Sequence, residues 1–182
     1  MTLVEEGIVQ DGIGRPDELD RLWTPHRMAY VRGENRPQEP DEHACPFCRI
    51  PELSDPDGLI VHRGDLAYVV LNLYPYTSGH LMVVPFRHVA DYVDTTTEES
   101  DEIAELTKQS VRTLRLVSRA EGFNIGMNQG VAGGAGIAAH LHQHVVPRWV
   151  GDSNFMPIIG KTKTLPQLLT QTRDLLAESW QD

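Results

Sequence analysis

The chain has 182 residues, is 40% hydrophobic and 23% charged, and carries a formal net charge of −10. That size and balance fit one soluble domain with a sizeable core, and the acidity argues against a general nucleic-acid surface, which would be basic. No apolar run approaches the length of a membrane span, and no basic stretch followed by an apolar core opens the chain, so a cytoplasmic protein with no membrane partner is expected.

Residues 1–14 are polar and glycine-containing, and Pro16-Asp17-Glu18-Leu19-Asp20-Arg21-Leu22 reads as a helix start that Thr24-Pro25 interrupts. Residues 32–42 are rich in Pro, Glu, Asn and Gly and read as a linker. This divides the chain into an N-terminal arm with a short helix, 1–43, and a core domain, 44–182. Cys45-Pro46-Phe47-Cys48 holds both cysteines of the chain. Its spacing suits half of a zinc site, a pair of idle thiols or a redox pair. Leu59-Ile60-Val61-His62 and Leu66-Ala67-Tyr68-Val69-Val70-Leu71 flank Arg63-Gly64-Asp65 and predict a hairpin. Leu81-Met82-Val83-Val84, opened by Gly79 and closed by Pro85, predicts a third strand of an antiparallel sheet.

Thr95-x-x-Glu98 and Thr96-x-x-Glu99 both fit a capping box. Ile103, Leu106, Ser110, Leu114 and Val117, with Val111 beside them, follow at helical spacing, and Gly122 offers a stop. The spacing predicts a helix of about six turns. Phe123 to Asn128 alternates like a strand, and 130–136 then holds four glycines, a composition that lets backbone amides approach phosphate. A last amphipathic helix is predicted from about Leu165, capped by Thr164-x-x-Gln167, with Leu165, Leu168, Leu169, Leu175 and Leu176 as its stripe.

His140-Leu141-His142-Gln143-His144-Val145-Val146 is the most informative stretch. On a strand its three imidazoles share one face, with neighbours ~6.6 Å apart, and Pro147 is expected to end the pairing. A core strand with incidental histidines is the plain alternative, but three such groups are costly to bury without partners. Beside a phosphoanhydride, a neutral imidazole can attack phosphorus in line and form a phosphoramidate, while its neighbours stabilise the non-bridging oxygens. A catalytic metal held by His140, His142 and His144 is the competing reading, although three successive same-face residues line up rather than converge.

His140-Leu-His142-Gln-His144-Val-Val resembles the motif His-φ-His-φ-His-φ-φ of the histidine-triad (HIT) superfamily. Gln143 departs from the motif at a usually apolar position on the opposite face. Leu71 to Pro85, containing Gly79-His80, resembles that superfamily's nucleoside-pocket strand and turn, and Met127-Asn128-Gln129-Gly130 the strand before its phosphate loop. Cys45-x-x-Cys48 with Arg87-His88-Val89 is similar to the zinc-bearing bacterial members. Arg21 to Tyr30, Pro147 to Phe155 and the final helix resemble the diadenosine tetraphosphate phosphorylase branch.

The resemblance implies an α+β fold: a HIT-like antiparallel sheet with one long helix and a C-terminal helix, paired as a homodimer or higher homo-oligomer whose sheets join. It implies that His142 is the nucleophile and that His144 contacts phosphate. Asn72 would bind ribose, and Asn128 with the amides of Gly134, Ala135 and Gly136 would bind phosphate. Cys45, Cys48, His88 and His140 would hold a structural zinc, and Mg would accompany the nucleotide. The implied reaction is phosphorolysis of diadenosine tetraphosphate to ADP and ATP. The rivals are a hydrolase of the same fold that uses water and a nucleotide-binding module with vestigial activity. Gly136 bears on all three, because the family usually places Gln or Ser there.

Overall fold

The computed structural model describes residues 45–152 and 167–181. The expected arm helix and linker, the domain start near Ala44, and Thr164 and Leu165 lie outside the described residues. Within them the order is α1 (Pro46–Arg49), β1 (Ile60–Arg63), β2 (Ala67–Leu71), β3 (Leu81–Pro85), α2 (Thr97–Ser118), β4 (Gly122–Met127), β5 (Gln143–Arg148) and α3 (Leu169–Glu178). The five strands form one sheet in the order β1-β2-β3-β5-β4, and every neighbouring pair is antiparallel. This is the α+β architecture expected. Among the described residues no helix is long and apolar enough to cross a membrane.

β2 and β3 are buried along their whole length, because each face of the sheet carries its own apolar layer. On one face Val69, Leu71, Leu81, Val83 and Val145 pack against Ile103, Leu106 and Leu114 of α2 and Leu176 of α3. On the other, Tyr68, Val70, Met82 and Val84 pack against Cys45 and Phe47. The hairpin turn is clamped from α2: the Glu102 carboxylate accepts the amides of Asp65 at 2.7 Å and Leu66 at 2.5 Å.

Of the two candidate capping boxes, α2 uses the second. Thr96 Oγ1 accepts from Glu99 N, and the Glu99 carboxylate accepts from Thr96 N. The expected stop at Gly122 is corrected. Arg119 closes the helix in the left-handed region with φ 52, and Gly122 opens β4 opposite Arg148. The C-terminal helix is also corrected: it begins at Leu169. Leu168 and Leu175 are exposed, and Thr172 and Leu176 face the core. From a start at 169 the inward stripe runs 169, 172, 176, which places 168 and 175 off it.

Two corrections concern the histidine strand. The ladder between β3 and β5 reaches only Val83↔Gln143, so His140 and His142 precede the strand rather than lie in it. Leu141 N donates instead to Val89 O. Pro147 does not end the pairing, since β5 continues to Arg148 against β4. The Pro147 carbonyl accepts from Thr77 Oγ1 at 2.9 Å, so its missing donor falls on the β3 side, beyond the last β3 pair at Val145.

Candidate active site and metal centre

Antiparallel pairing fixes which side chains of β5 meet which layer. Gln143 and Val145 face α2, and His144 faces the α1 side, as does His142 just before the strand. His142 is buried, with its Nδ1 2.9 Å from the His140 carbonyl oxygen. A carbonyl only accepts, so Nδ1 carries the proton and Nε2 presents a lone pair. Burial pushes the His142 pKa below the ordinary imidazole range, and the His140 carbonyl partly opposes this. The imidazole is therefore neutral and nucleophilic at neutral pH.

The same reasoning runs through a second chain of bonds. Tyr76 N donates to His80 Nδ1 at 3.1 Å, so the His80 proton sits on Nε2. That nitrogen lies 2.9 Å from His144 Nδ1. His144 then holds its own proton on Nε2, as a donor. Burial, with repulsion from His142 second, lowers the His144 pKa to about 4. The His142 and His144 rings stand edge-to-face, 4.9 Å apart. One offers a lone pair and the next a donor, the pairing that an attacking atom and a phosphoryl oxygen require.

Asn72 is tied into this chain. Its Oδ1 accepts from Tyr74 N at 2.9 Å, and its Nδ2 lies 3.4 Å from His80 Nδ1. Across β5, Gly126↔His144 and Met127↔Gln143 place Asn128 level with His142. A cavity of about 840 Å³ reaches His144 and Asn128 from the Tyr76–Gly79 turn. In the glycine loop, Gly134 N donates to Val131 O and Ala135 N to Gly130 O, so these two amides close the loop on itself. The Gly136 amide meets no backbone acceptor among the described residues. A Cβ there would touch nothing within 4 Å.

His140 turns away from its two companions. Its Nδ1 lies 3.3 Å from Cys45 Sγ and 3.4 Å from Cys48 Sγ, and Cys48 Sγ lies 3.2 Å from His88 Nδ1. The four ligand atoms all fall within 4.8 Å of one another. His140 Nε2 donates to Pro85 O at 2.9 Å, which leaves Nδ1 as a lone pair aimed at the thiols. Two sulfur and two imidazole donors in this array can hold a metal ion. The segment bearing His88 is anchored by Arg87, whose Nε and Nη2 donate to the Glu99 carboxylate at 2.8 and 2.7 Å. That pairing holds Glu99 below the usual carboxylate range.

Residue type and spacing alone do not single out His80, Tyr76 or Phe47. His80 is the polar residue just before an apolar strand and after Gly79, whose φ is +78, and beyond that position only its place in the resembling Gly79-His80 turn signals it. The Tyr76 ring covers it at 4.6 Å and stacks on His144 at 5.9 Å.

Comparisons with known proteins agree with this geometry. The HIT domain family matches residues 55–150, and the chain belongs to that family. It is 51% identical over 176 residues to a Mycobacterium tuberculosis (strain H37Rv) protein named AP-4-A phosphorylase, across 95% of this chain and 90% of that one. That extent of identity to an enzyme makes this chain an enzyme of the family. A zinc-bound histidine triad family protein from Mycobacterium smegmatis superposes with a TM-score of 0.61 at 28% identity, covering 76% of this chain and 94% of that one. A Plasmodium falciparum diadenosine triphosphate hydrolase shares the fold, with a TM-score of 0.57 at 16% identity over 74% of this chain and 95% of its own.

Proposed function

We propose that this protein is a cytoplasmic, homodimeric nucleotidyltransferase that cleaves diadenosine tetraphosphate by phosphorolysis. The observation that carries the reading is the His142 Nδ1–His140 carbonyl bond, which leaves Nε2 free on the face shared with His144. In the first step Nε2 attacks an α-phosphorus, the P–N bond forms, the P–O bond to the distal phosphates breaks, and ATP leaves. In the second step inorganic phosphate attacks the adenylylated His142, the P–N bond breaks, and ADP leaves with Nε2 restored. His144 Nε2–H donates to a phosphoryl oxygen. Asn72 receives the ribose hydroxyls, and Asn128 with the Gly136 amide receives phosphate. The polyphosphate brings Mg with it. The choice of substrate rests on the 51% identity, which runs well beyond the family's domain.

Cys45, Cys48, His88 and His140 would hold zinc, which when bound cross-links the α1 turn to the segments bearing His88 and His140. β4 is an edge strand with Ile125 half exposed, and pairing of two such edges would join the sheets of a dimer.

Gly136 favours a second reading. It supplies no side-chain donor, and the open space around it would admit water as the acceptor. Incubation with diadenosine tetraphosphate, with and without phosphate, separates the two. ADP and ATP formed only with phosphate support phosphorolysis, and AMP formed at equal rates in both favours hydrolysis. His142→Ala should lower turnover on the order of 10⁴-fold or more while nucleotide binding persists. Near wild-type turnover in that variant would refute the assignment.

A further inference from the structure

We infer that Phe47 is a positioning residue that couples the metal-binding turn to the aim of His142, an inference that rests on His142 being the nucleophile. Phe47 stands between the two cysteines on α1 and is 4% exposed. Its ring meets two histidines at once. It lies edge-on to His140, 5.6 Å away at 72°, and tilted against His142, 4.8 Å away at 43°. Its own carbonyl accepts the Tyr68 hydroxyl at 2.7 Å, and the flanking thiols face His140 and His88. The Phe47 backbone is therefore fixed between the two thiols, and its ring spans His140 and His142.

An imidazole keeps one free torsion about its Cβ–Cγ bond. A half-turn of the His142 ring would bring carbon against the His140 carbonyl and swing Nε2 off its line. One hydrogen bond in a buried site opposes that turn, and the Phe47 face opposes it sterically. Both restraints originate in the metal-binding segments: the carbonyl belongs to His140, and the phenyl ring sits between Cys45 and Cys48. A residue that only filled the core would move stability. Phe47 instead sets the orientation of the reacting nitrogen.

The test uses the zinc-supplemented full chain, with metal content measured, and the variants Phe47→Leu and Phe47→Met. Both are expected to retain wild-type metal content. On diadenosine tetraphosphate with phosphate, kcat should fall roughly 10- to 100-fold with KM within about twofold, the signature of a misaimed group. Long-range ¹H–¹⁵N spectra should show His142 as a single Nδ1–H tautomer in the wild type and as an averaged tautomer in the variants. Unchanged kcat with an unchanged His142 spectrum would overturn the inference. So would a raised KM with unchanged kcat, which would mark Phe47 as a substrate contact. If neither variant folds, the wild type still decides: nuclear Overhauser contacts from the Phe47 ring to both His140 and His142 are required, and their absence overturns the proposal. The spectra use no turnover, so an active His142→Ala would sink the catalytic assignment separately.

Discussion

Gln143 occupies a position of the triad motif that is usually apolar, and its partner makes a quantitative prediction. Its amide donates to Thr107 Oγ1 on α2, and Thr107 Oγ1 donates to the Ile103 carbonyl at 2.7 Å. Thr107 is buried and Gln143 half-buried. Thr107→Val leaves the Gln143 amide short of its acceptor and should cost about 1–2 kcal/mol, the low end for an orphaned donor because one side is open. Gln143→Leu removes the donor itself and adds apolar contact to the α2 layer, so its net cost should be about 0–1 kcal/mol. The double variant should be no worse than Thr107→Val alone, a coupling of about 1 kcal/mol. Urea unfolding of the four proteins measures this, and for a chain of this size each kcal/mol moves Tm by roughly 2–4 °C. Strict additivity would refute the pairing. Turnover should stay within about twofold throughout, because both groups lie on the face opposite His142 and His144.

Four further outcomes are expected. His144 is lowered to about 4 in the folded protein but titrates near the ordinary ~6.5 when unfolded. The unfolded chain thus binds more protons between those values, so this contribution to stability is complete above ~6.5 and is lost as pH falls toward 4. His144→Gln should flatten that decline in urea titrations at pH 7 and 5, and the acid limb of kcat/KM should lie below ~6.5. Cys48→Ser, or prolonged chelation, should lower Tm more than it lowers activity per folded molecule; unchanged melting with no bound metal would exclude the centre. Gly136→Ser should leave stability unchanged, since its Cβ meets nothing within 4 Å, and should raise phosphate-dependent turnover by adding a donor. Gly64→Ala places a Cβ against Glu102 Oε1, whose carboxylate already accepts two amides, Asp65 N on Oε1 and Leu66 N on Oε2. It should cost about 1–3 kcal/mol in equilibrium unfolding.

Short apolar runs bounded by turn residues, one alternating run and one stripe of period 3.6 carried most of the fold into the sequence. The β1–β2 hairpin, β3, β4 and the long helix are readable there, because strands covered on both faces read as unbroken apolar runs and the helix buries one stripe; which of its two candidate caps is used is not. The misreadings share a cause. Arg119 ends α2 in a conformation that glycine usually serves, and Leu168 and Leu175 sit one residue off the inward stripe of α3. Local composition does not register which neighbour a residue meets. The same holds at the site. The four residues that could hold a metal ion are visible through their chemistry. The tautomers of His142 and His144 are not, since they depend on the His140 carbonyl and on a Tyr76 amide far off in sequence. The inward closure of the Gly134 and Ala135 amides is equally invisible to glycine counting.

Val145 is paired on both sides, with Leu81 of β3 and Ile125 of β4. A strand gripped along both edges cannot slip by one residue without exchanging the environments of Gln143 and His144 and breaking two ladders together. Residues 130–136, by contrast, bond largely to themselves. Insertions, deletions and substitutions there can accumulate while the register of the histidines stays fixed. Variation in that short surface turn would therefore leave the placement of the His144 imidazole untouched.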